Sequence, residues 1–219
     1  MAPIVELLRK TAHEPEPHGV ASDGTHLWIG SRATKQISKI DPASWDRLEV
    51  IVPPGMPWGM TYGDNALVMT CGESLGHSDD DTRRIRRYVP GHGFANGFVP
   101  VPDETGSHLG LFAGHILLGQ WYKRRLLLLD DAGRIIKTYD VPHQIAGVAV
   151  RGARASLLTT DDEEHGPYWI TQLDLNDPTT HASDVALVPF PARSLAWDGQ
   201  RFWTNHREAD QTVAFRLPE

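Results

Sequence analysis

Residues 17–30, PHGVASDGTHLWIG, contain an apolar run, an Asp-Gly turn and a second apolar run that ends in glycine. The same phrase recurs in degenerate form as WGMTYGDNALVMTC from residue 58, LGLFAGHILLGQ from 109, AGVAVRGARASLLTT from 146 and RSLAWDGQRFWTN from 193. The equivalent anchor residues follow one another at intervals of 37 to 51 residues and are Gly19, Gly59, Gly110, Gly147 and Ser194. Repeats of about that length are typical of propellers and solenoids.

Each copy predicts two short strands joined by a turn, because Gly, Asp and Asn tolerate positive φ there. A third apolar run follows in every copy and a fourth in the first four copies. Four antiparallel strands in each such unit indicate a propeller blade. We therefore predict an all-β fold, a five-bladed β-propeller of four-stranded antiparallel blades that forms a single domain over residues 1–219. The predicted blades are 18–53, 57–102, 107–142, 144–189, and 193–218 together with 3–9; a β-sandwich is the alternative.

The N-terminal segment PIVELLR, residues 3–9, supplies the strand that the fifth copy lacks. We predict that it pairs with the third strand of the last blade, which closes the ring and removes a sheet edge. The alternative for IVELLRK is a short amphipathic helix.

The net charge of −7 and the pI near 5.8 argue against nucleic acid as a partner, because phosphate contacts need clustered Lys and Arg. The basic run TRRIRR, residues 82–87, follows an acidic stretch and is predicted to be a solvated strand. Cys71 is the only cysteine, so an intrachain disulfide is impossible, and an inert buried thiol is expected. The sequence begins with no signal-peptide pattern and contains no long apolar run, so a cytoplasmic protein with no membrane partner is expected.

The runs GVASDGTHLWIG and SLAWDGQRFWTN resemble blades of the virginiamycin B lyase-like, gluconolactonase (SMP-30)-like and glutamine cyclotransferase-like propellers. Their repeats read roughly G-I-A-x-D-G-x-x-L-W-V. The resemblance covers nearly the whole chain and implies the fold, whereas a blade motif says little about chemistry. Glutamine cyclotransferases also have five blades.

In a propeller, the start of each innermost strand and the end of each second strand lie on one face, around the central channel. We predict the ligand site there. Histidines can transfer protons near neutral pH and carboxylates can orient them, so the predicted catalytic residues are His18, His108, His206, Glu73 and Asp161. Indoles can form pocket walls, and guanidinium groups and amides can hold an anion, so the predicted substrate-binding residues are Trp58, Trp121, Arg32, Arg193, Gln120 and Asn205. For each of these residues the alternative is a structural role.

The sequence predicts no metal ligands and no cofactor, with a divalent metal as the alternative. Gluconolactonase-type propellers hold a divalent cation with acids and Asn, whereas the matching positions here carry His, Trp, Leu, Ala and Arg. No tight His spacing typical of a metal site occurs. The acidic loops at 73–81 and 161–166 are instead predicted to be lids over the site.

These features favour an enzyme that acts on a small organic substrate, possibly anionic, by histidine acid/base chemistry. By resemblance we expect a lyase, cyclase or isomerase. The alternative is a non-catalytic propeller that binds a ligand or a protein.

Overall fold

A computed structural model describes residues 1–72, 83–177 and 181–219 of the chain. The N-terminal strand is β1 (Val5–Thr11). The first blade contains β2 (Pro17–Ser22), β3 (Leu27–Ser31), β4 (Ile37–Ile40) and β5 (Arg47–Ile51). The second contains β6 (Met56–Gly63), β7 (Ala66–Gly72), β8 (Arg84–Val89), β9 (Gly93–Phe94) and β10 (Val99–Pro100). A 3-10 turn, Pro102–Glu104, follows it.

The third blade contains β11 (His108–Phe112), β12 (His115–Gln120), β13 (Arg125–Leu129) and β14 (Ile135–Asp140). The fourth contains β15 (Gln144–Arg151), β16 (Arg154–Thr160), β17 (Tyr168–Asp174) and β18 (Ser183–Val188). The fifth contains β19 (Ala192–Trp197), β20 (Phe202–His206) and β21 (Gln211–Arg216), with β1 as its outer strand. In the second blade β9 and β10 both pair with β8, so two short segments share the outer position.

The five sheets form a closed ring. The inner strand of each blade packs against the inner strands of both neighbours, in the order β2, β6, β11, β15, β19 and back to β2. The prediction of a five-bladed β-propeller is therefore confirmed, and the sandwich alternative is wrong. In the described parts of the chain, no helix has the length and apolar character needed to span a bilayer.

The closing strand is also confirmed, although it lies two residues later than predicted. β1 pairs antiparallel with β21, from Val5 opposite Arg216 to Thr11 opposite Gln211. The backbone N–H of Ile4 donates a hydrogen bond to the carbonyl of Leu187 in the fourth blade. The helix alternative for this segment is therefore wrong.

The repeated glycine marks the place where neighbouring inner strands come into contact near the axis. A Cβ atom on Gly59 would lie 2.1 Å from the Ser107 carbonyl oxygen, and one on Gly147 would lie 2.6 Å from the Ser194 carbonyl carbon. No side chain fits at such distances. The glycine therefore recurs once in each of the first four repeats because each of these inner strands passes close to a neighbouring inner strand there. Ser194 occupies the fifth anchor position with its hydroxyl accepting a hydrogen bond from the Val20 N–H at 2.9 Å.

Five hydrophobic clusters fill the five junctions between blades. Trp28 is fully buried in the cluster between the first and second blades, and Trp203 is fully buried between the fifth and the first. The hydrophobic core therefore lies mainly between neighbouring blades.

Candidate functional site

A cavity of about 160 Å³ opens at one end of the ring axis. All five blades contribute to its wall, because the inner strands begin there and the second strands end there. Its lining residues are His18, Arg32, Trp58, Arg83, Ser107, His108, Trp121, Tyr122, Glu163, Arg193 and Arg207. Six of the eleven residues predicted from the sequence are in this set: His18, His108, Trp58, Trp121, Arg32 and Arg193.

Irregularities in the inner strands set the direction of two of these side chains. The register of β2 against β3 shifts between Pro17 and Val20, and that of β6 against β7 shifts between Pro57 and Met60. Such bulges bend a strand and re-aim the side chains within them. His18 and Trp58 lie inside these bulges and line the cavity.

His18 is almost completely buried, and its Nδ1 lies 2.7 Å from the carbonyl oxygen of Trp58. A carbonyl can only accept, so Nδ1 carries the proton and Nε2 keeps its lone pair. Burial lowers the pKa of His18 well below 6.5, and the positive charge of Arg193 lowers it further. The ring is therefore a neutral imidazole with an acceptor nitrogen.

His108 is the second buried histidine of the cavity. Its ring lies nearly parallel to that of His18, with ring centroids 6.3 Å apart. Burial, followed by the charges of Arg193 and Arg83, lowers the pKa of His108 to about 3. Among the described residues, no group hydrogen-bonds its buried Nδ1. A proton there would have no acceptor, so the tautomer protonated at Nε2 is favoured.

Two guanidinium groups pack on the indole of Trp58. The Arg83 Cζ lies 4.6 Å from the ring centroid and the Arg32 Cζ lies 5.1 Å from it. Arg83 also donates a hydrogen bond to the Ser107 hydroxyl. Within the described chain no carboxylate pairs with Arg32, and its buried Nε has no hydrogen-bond partner. Trp58 therefore holds cationic groups against an apolar wall of the cavity.

Glu163 supplies a carboxylate on the opposite side of the cavity. Its Oε1 pairs with Nη2 of Arg193 and lies 3.3 Å from Nη1 of Arg207. Burial lowers the pKa of Arg193, although the adjacent Glu163 carboxylate opposes that shift. The described lining residues include four guanidinium groups and one carboxylate, so this part of the lining carries a net positive charge.

Four of the predicted residues lie away from the cavity. His206 stacks on Phe190, with centroids 5.1 Å apart, and Asp161 binds Nδ1 of His143 at 2.9 Å. The Gln120 amide donates to the carbonyls of Pro102 and Thr105 and accepts from Arg125. The Asn205 amide donates to the carbonyls of His18 and Gly19 and accepts from Thr212. None of these four is among the residues that line the cavity, and a catalytic or binding role for them stays a prediction.

Glu73, the remaining predicted residue, lies outside the described residues.

Sequence reasoning missed five lining residues: Arg83, Ser107, Tyr122, Glu163 and Arg207. Three of them immediately adjoin predicted positions, since Ser107 precedes His108, Tyr122 follows Trp121 and Arg207 follows His206. Glu163 lies in the acidic loop 161–166, for which the sequence predicts a lid. In the basic run TRRIRR, β8 begins at Arg84, and the preceding Arg83 lines the cavity.

The other end of the axis differs in character. A smaller cavity of about 90 Å³ lies there, and its described lining residues carry no charge. They include Ala21, Met60, Leu111, Val148 and Leu195. The polar chemistry of the channel is thus concentrated at one end.

The described lining residues do not suit a divalent cation, because four guanidinium groups and a single carboxylate repel it. In residues 1–72, 83–177 and 181–219, no three His, Cys, Asp or Glu side chains form a group that could hold a metal ion. Burial raises the pKa of the Cys71 thiol to about 11, so this residue stays protonated and is not a nucleophile.

No family model matches the sequence, and no curated protein matches it. Solved structures do share the fold. Myxococcus xanthus glutaminyl cyclase superposes with a TM-score of 0.72 at 11% identity over 98% of both chains. The PQQ-bound aldose sugar dehydrogenase of Streptomyces coelicolor gives a TM-score of 0.55 at 12% identity, covering 98% of this chain and 99% of that one.

Kuenenia stuttgartiensis hydrazine synthase gives a TM-score of 0.56 at 12% identity, covering 87% of this chain and 62% of that one. The chain thus spans less than two thirds of the hydrazine synthase. At these identities the similarity shows the fold alone.

Proposed function

We propose that this propeller is an enzyme that binds a small organic anion in the cationic cavity and moves a proton on it with His18. The observation that carries the proposal is the hydrogen bond from His18 Nδ1 to the Trp58 carbonyl at 2.7 Å. This bond fixes the tautomer that leaves Nε2 as a proton acceptor, in a residue that lines the cavity. A histidine held in this way is suited to act as a general base.

His108 supports the proposal as the complementary donor. With its proton on Nε2, it can donate a hydrogen bond to a carbonyl or leaving group while His18 accepts a proton. Both rings line the same cavity and lie parallel. One accepting and one donating imidazole are what proton abstraction beside a carbonyl, elimination and intramolecular cyclisation require.

The arginines define the charge of the substrate. Arg193 and Arg32 both depress the pKa of His18 by their charge, so both lie within electrostatic range of it. A bound anion offsets that repulsion and raises the pKa of His18 toward its ordinary value. The base therefore becomes stronger when the correct substrate is present.

The reaction class favoured by this arrangement is that of a lyase, cyclase or isomerase. Each begins with proton removal and needs no redox partner. A glutaminyl cyclase is among the proteins that share the fold, and this supports the cyclase alternative.

The test is proton exchange, which needs no knowledge of the product. The protein is incubated in D2O with a panel of small 2-oxo, 2-hydroxy and 2-amino carboxylic acids, and deuterium incorporation at carbon is followed by NMR and mass spectrometry. We expect catalysed exchange in at least one acid. His18→Gln should slow it by at least roughly 10²-fold, the usual contribution of a general base. Arg32→Gln should raise the acid concentration needed for half-maximal exchange.

His92→Gln is the matched control, because His92 is an exposed histidine in a turn of the second blade. It should exchange at the wild-type rate. Wild-type rates in His18→Gln would exclude His18 as the base. Binding of an acid without exchange would favour the alternative, a non-catalytic ligand-binding propeller, and no binding across the panel would overturn the anion assignment.

A further inference from the structure

We infer that Arg193 and Arg207 form a carboxylate subsite in which Glu163 is a built-in occupant, and that a carboxylate of the incoming ligand displaces it. The inference rests on the proposed function only for the identity of that ligand. The subsite itself is defined by contacts within the chain.

The first support is the convergence of two guanidinium groups on one carboxylate oxygen. Arg193 Nη2 and Arg207 Nη1 both pair with Glu163 Oε1, the latter at 3.3 Å. Two guanidinium groups carry one positive charge more than this single carboxylate neutralises. Guanidinium forks match planar carboxylates well, so the subsite is suited to that group.

The second support is the difference in burial between the partners. The Arg193 side chain keeps 14% of its surface exposed, whereas the Glu163 side chain keeps 32%. The cation is thus fixed in the wall of the cavity, and its anion reaches it from the solvent side. A buried cation must keep a partner, but that partner can be exchanged for another carboxylate.

The backbone of Glu163 is held independently of its side chain. Its carbonyl accepts hydrogen bonds from Arg207 and, at 2.7 Å, from the hydroxyl of Tyr168. The preceding residue, Asp162, accepts from the N–H groups of Glu164 and His165 and fixes the turn. Displacement therefore needs only a rotation of the Glu163 side chain, with the 161–166 loop in place.

The position of the subsite links it to the histidines. Arg193, His18 and His108 line the same cavity, and after burial the charge of Arg193 is the largest cause that lowers the pKa of both histidines. A carboxylate seated on Arg193 is therefore within electrostatic range of both imidazoles. The subsite would orient the substrate with its reacting carbon toward them.

The experiment is rescue of Glu163→Ala by acetate, a carboxylate small enough to take the vacated position. Thermal unfolding is measured in sodium acetate and in sodium chloride of equal ionic strength. We expect the Tm of Glu163→Ala to fall by roughly 4 °C in chloride, because Arg193 loses its partner, and to recover in acetate. Wild-type protein and Glu164→Ala, whose side chain is exposed on the same loop, should respond alike to the two salts.

Two further measurements keep the inference falsifiable. If Glu163→Ala does not fold, Glu163→Gln keeps the volume and removes the charge, and carbon-13 acetate binding to it should be at least tenfold tighter than to wild type. The double variant Glu163→Gln/Arg207→Gln should lose that gain. Equal acetate binding by wild type and Glu163→Gln, or an acetate response of Glu163→Ala no larger than that of Glu164→Ala, would overturn the subsite.

The result is separable from that of the proposed function. Acetate rescue without deuterium exchange leaves the subsite standing and removes the enzyme proposal. Deuterium exchange that depends on His18, without any acetate effect, supports the enzyme proposal and removes the subsite.

Discussion

At the scale of single residues, the cavity is built around two buried imidazoles that are neutral in the folded chain, because burial lowers the pKa of both. His18 and His108 are 3% and 4% exposed, and three-dimensional placement rather than sequence neighbours causes their low pKa values. Burial is the largest cause, and Arg193, whose charge adds to it for both histidines, lies on β19 of the fifth blade. Sequence alone places the histidines at the axis but cannot supply this charge environment.

The burial of His108 predicts a pH dependence of stability. Its pKa is about 3 when folded and near 6.5 when unfolded, so between these values the unfolded chain binds a proton that the native chain cannot. The contribution of His108 to the free energy of unfolding is therefore complete above pH 6.5. It falls as the pH drops toward 3, by at most about 1.4 kcal/mol per pH unit.

His108→Gln should flatten that slope across the same window, as measured by urea unfolding at a series of pH values. His92→Gln, at an exposed position, should keep the wild-type slope. Identical slopes in wild type and His108→Gln would show that the group is not protonated selectively in the unfolded chain.

The contrast between His206 and Arg207 shows where sequence reasoning about residues stops. His206 is the last residue of β20 and Arg207 directly follows it, and successive side chains along an extended backbone point to opposite sides. Arg207 lines the cavity, whereas His206 packs on Phe190. The sequence shows which strand ends reach the axis. Which side chain faces the axis depends on a difference of one residue in register.

At the scale of elements, the Asp-Gly turn of the repeat explains why its motif also contains tryptophan. Asp198 Oδ1 accepts from the N–H groups of Gln200 and Arg201, and its Oδ2 accepts from the indole N–H of Trp203 at 2.7 Å. Asp23 makes the equivalent bonds in the first blade, including one to Trp28 at 3.2 Å. One carboxylate thus closes a hairpin and satisfies a buried indole, which is why the blade could be predicted from its sequence.

Asp198→Ala should therefore cost about 2 to 3 kcal/mol in the free energy of unfolding, because the Trp203 indole is left buried without an acceptor. Urea denaturation followed by tryptophan fluorescence measures the loss. Asp41→Ala is the matched control, since Asp41 caps an exposed turn through the N–H groups of Ala43 and Ser44. A loss no larger than that of the control would mean that the indole bond adds little.

At the scale of the whole molecule, the ring brings together residues that are far apart in the chain. His18, Trp58, His108, Glu163 and Arg193 come from the first to the fifth blade in order and line one cavity. The repeat predicts this convergence because it fixes the number of blades and the face on which strands begin. It does not predict the irregular loops, and so Glu163 and Arg83 could not be assigned to the cavity beforehand.

In the same ring, β1 from the N-terminal part of the chain pairs with β21 from the C-terminal part and completes the fifth blade. The inner strands already close the circle through β19 and β2, so deletion of residues 1–11 should leave a folded ring. It would, however, expose the edge of β21, whose central residues are buried, and bare edges pair with other chains.

We therefore expect the truncated protein to keep its β-sheet circular dichroism, to unfold at a lower temperature and to self-associate, as measured by light scattering after gel filtration. Leu7→Thr changes an exposed residue of β1 while keeping the strand, and should behave as wild type. A truncated protein with unchanged Tm and no self-association would show that the ring is held by its inner strands alone.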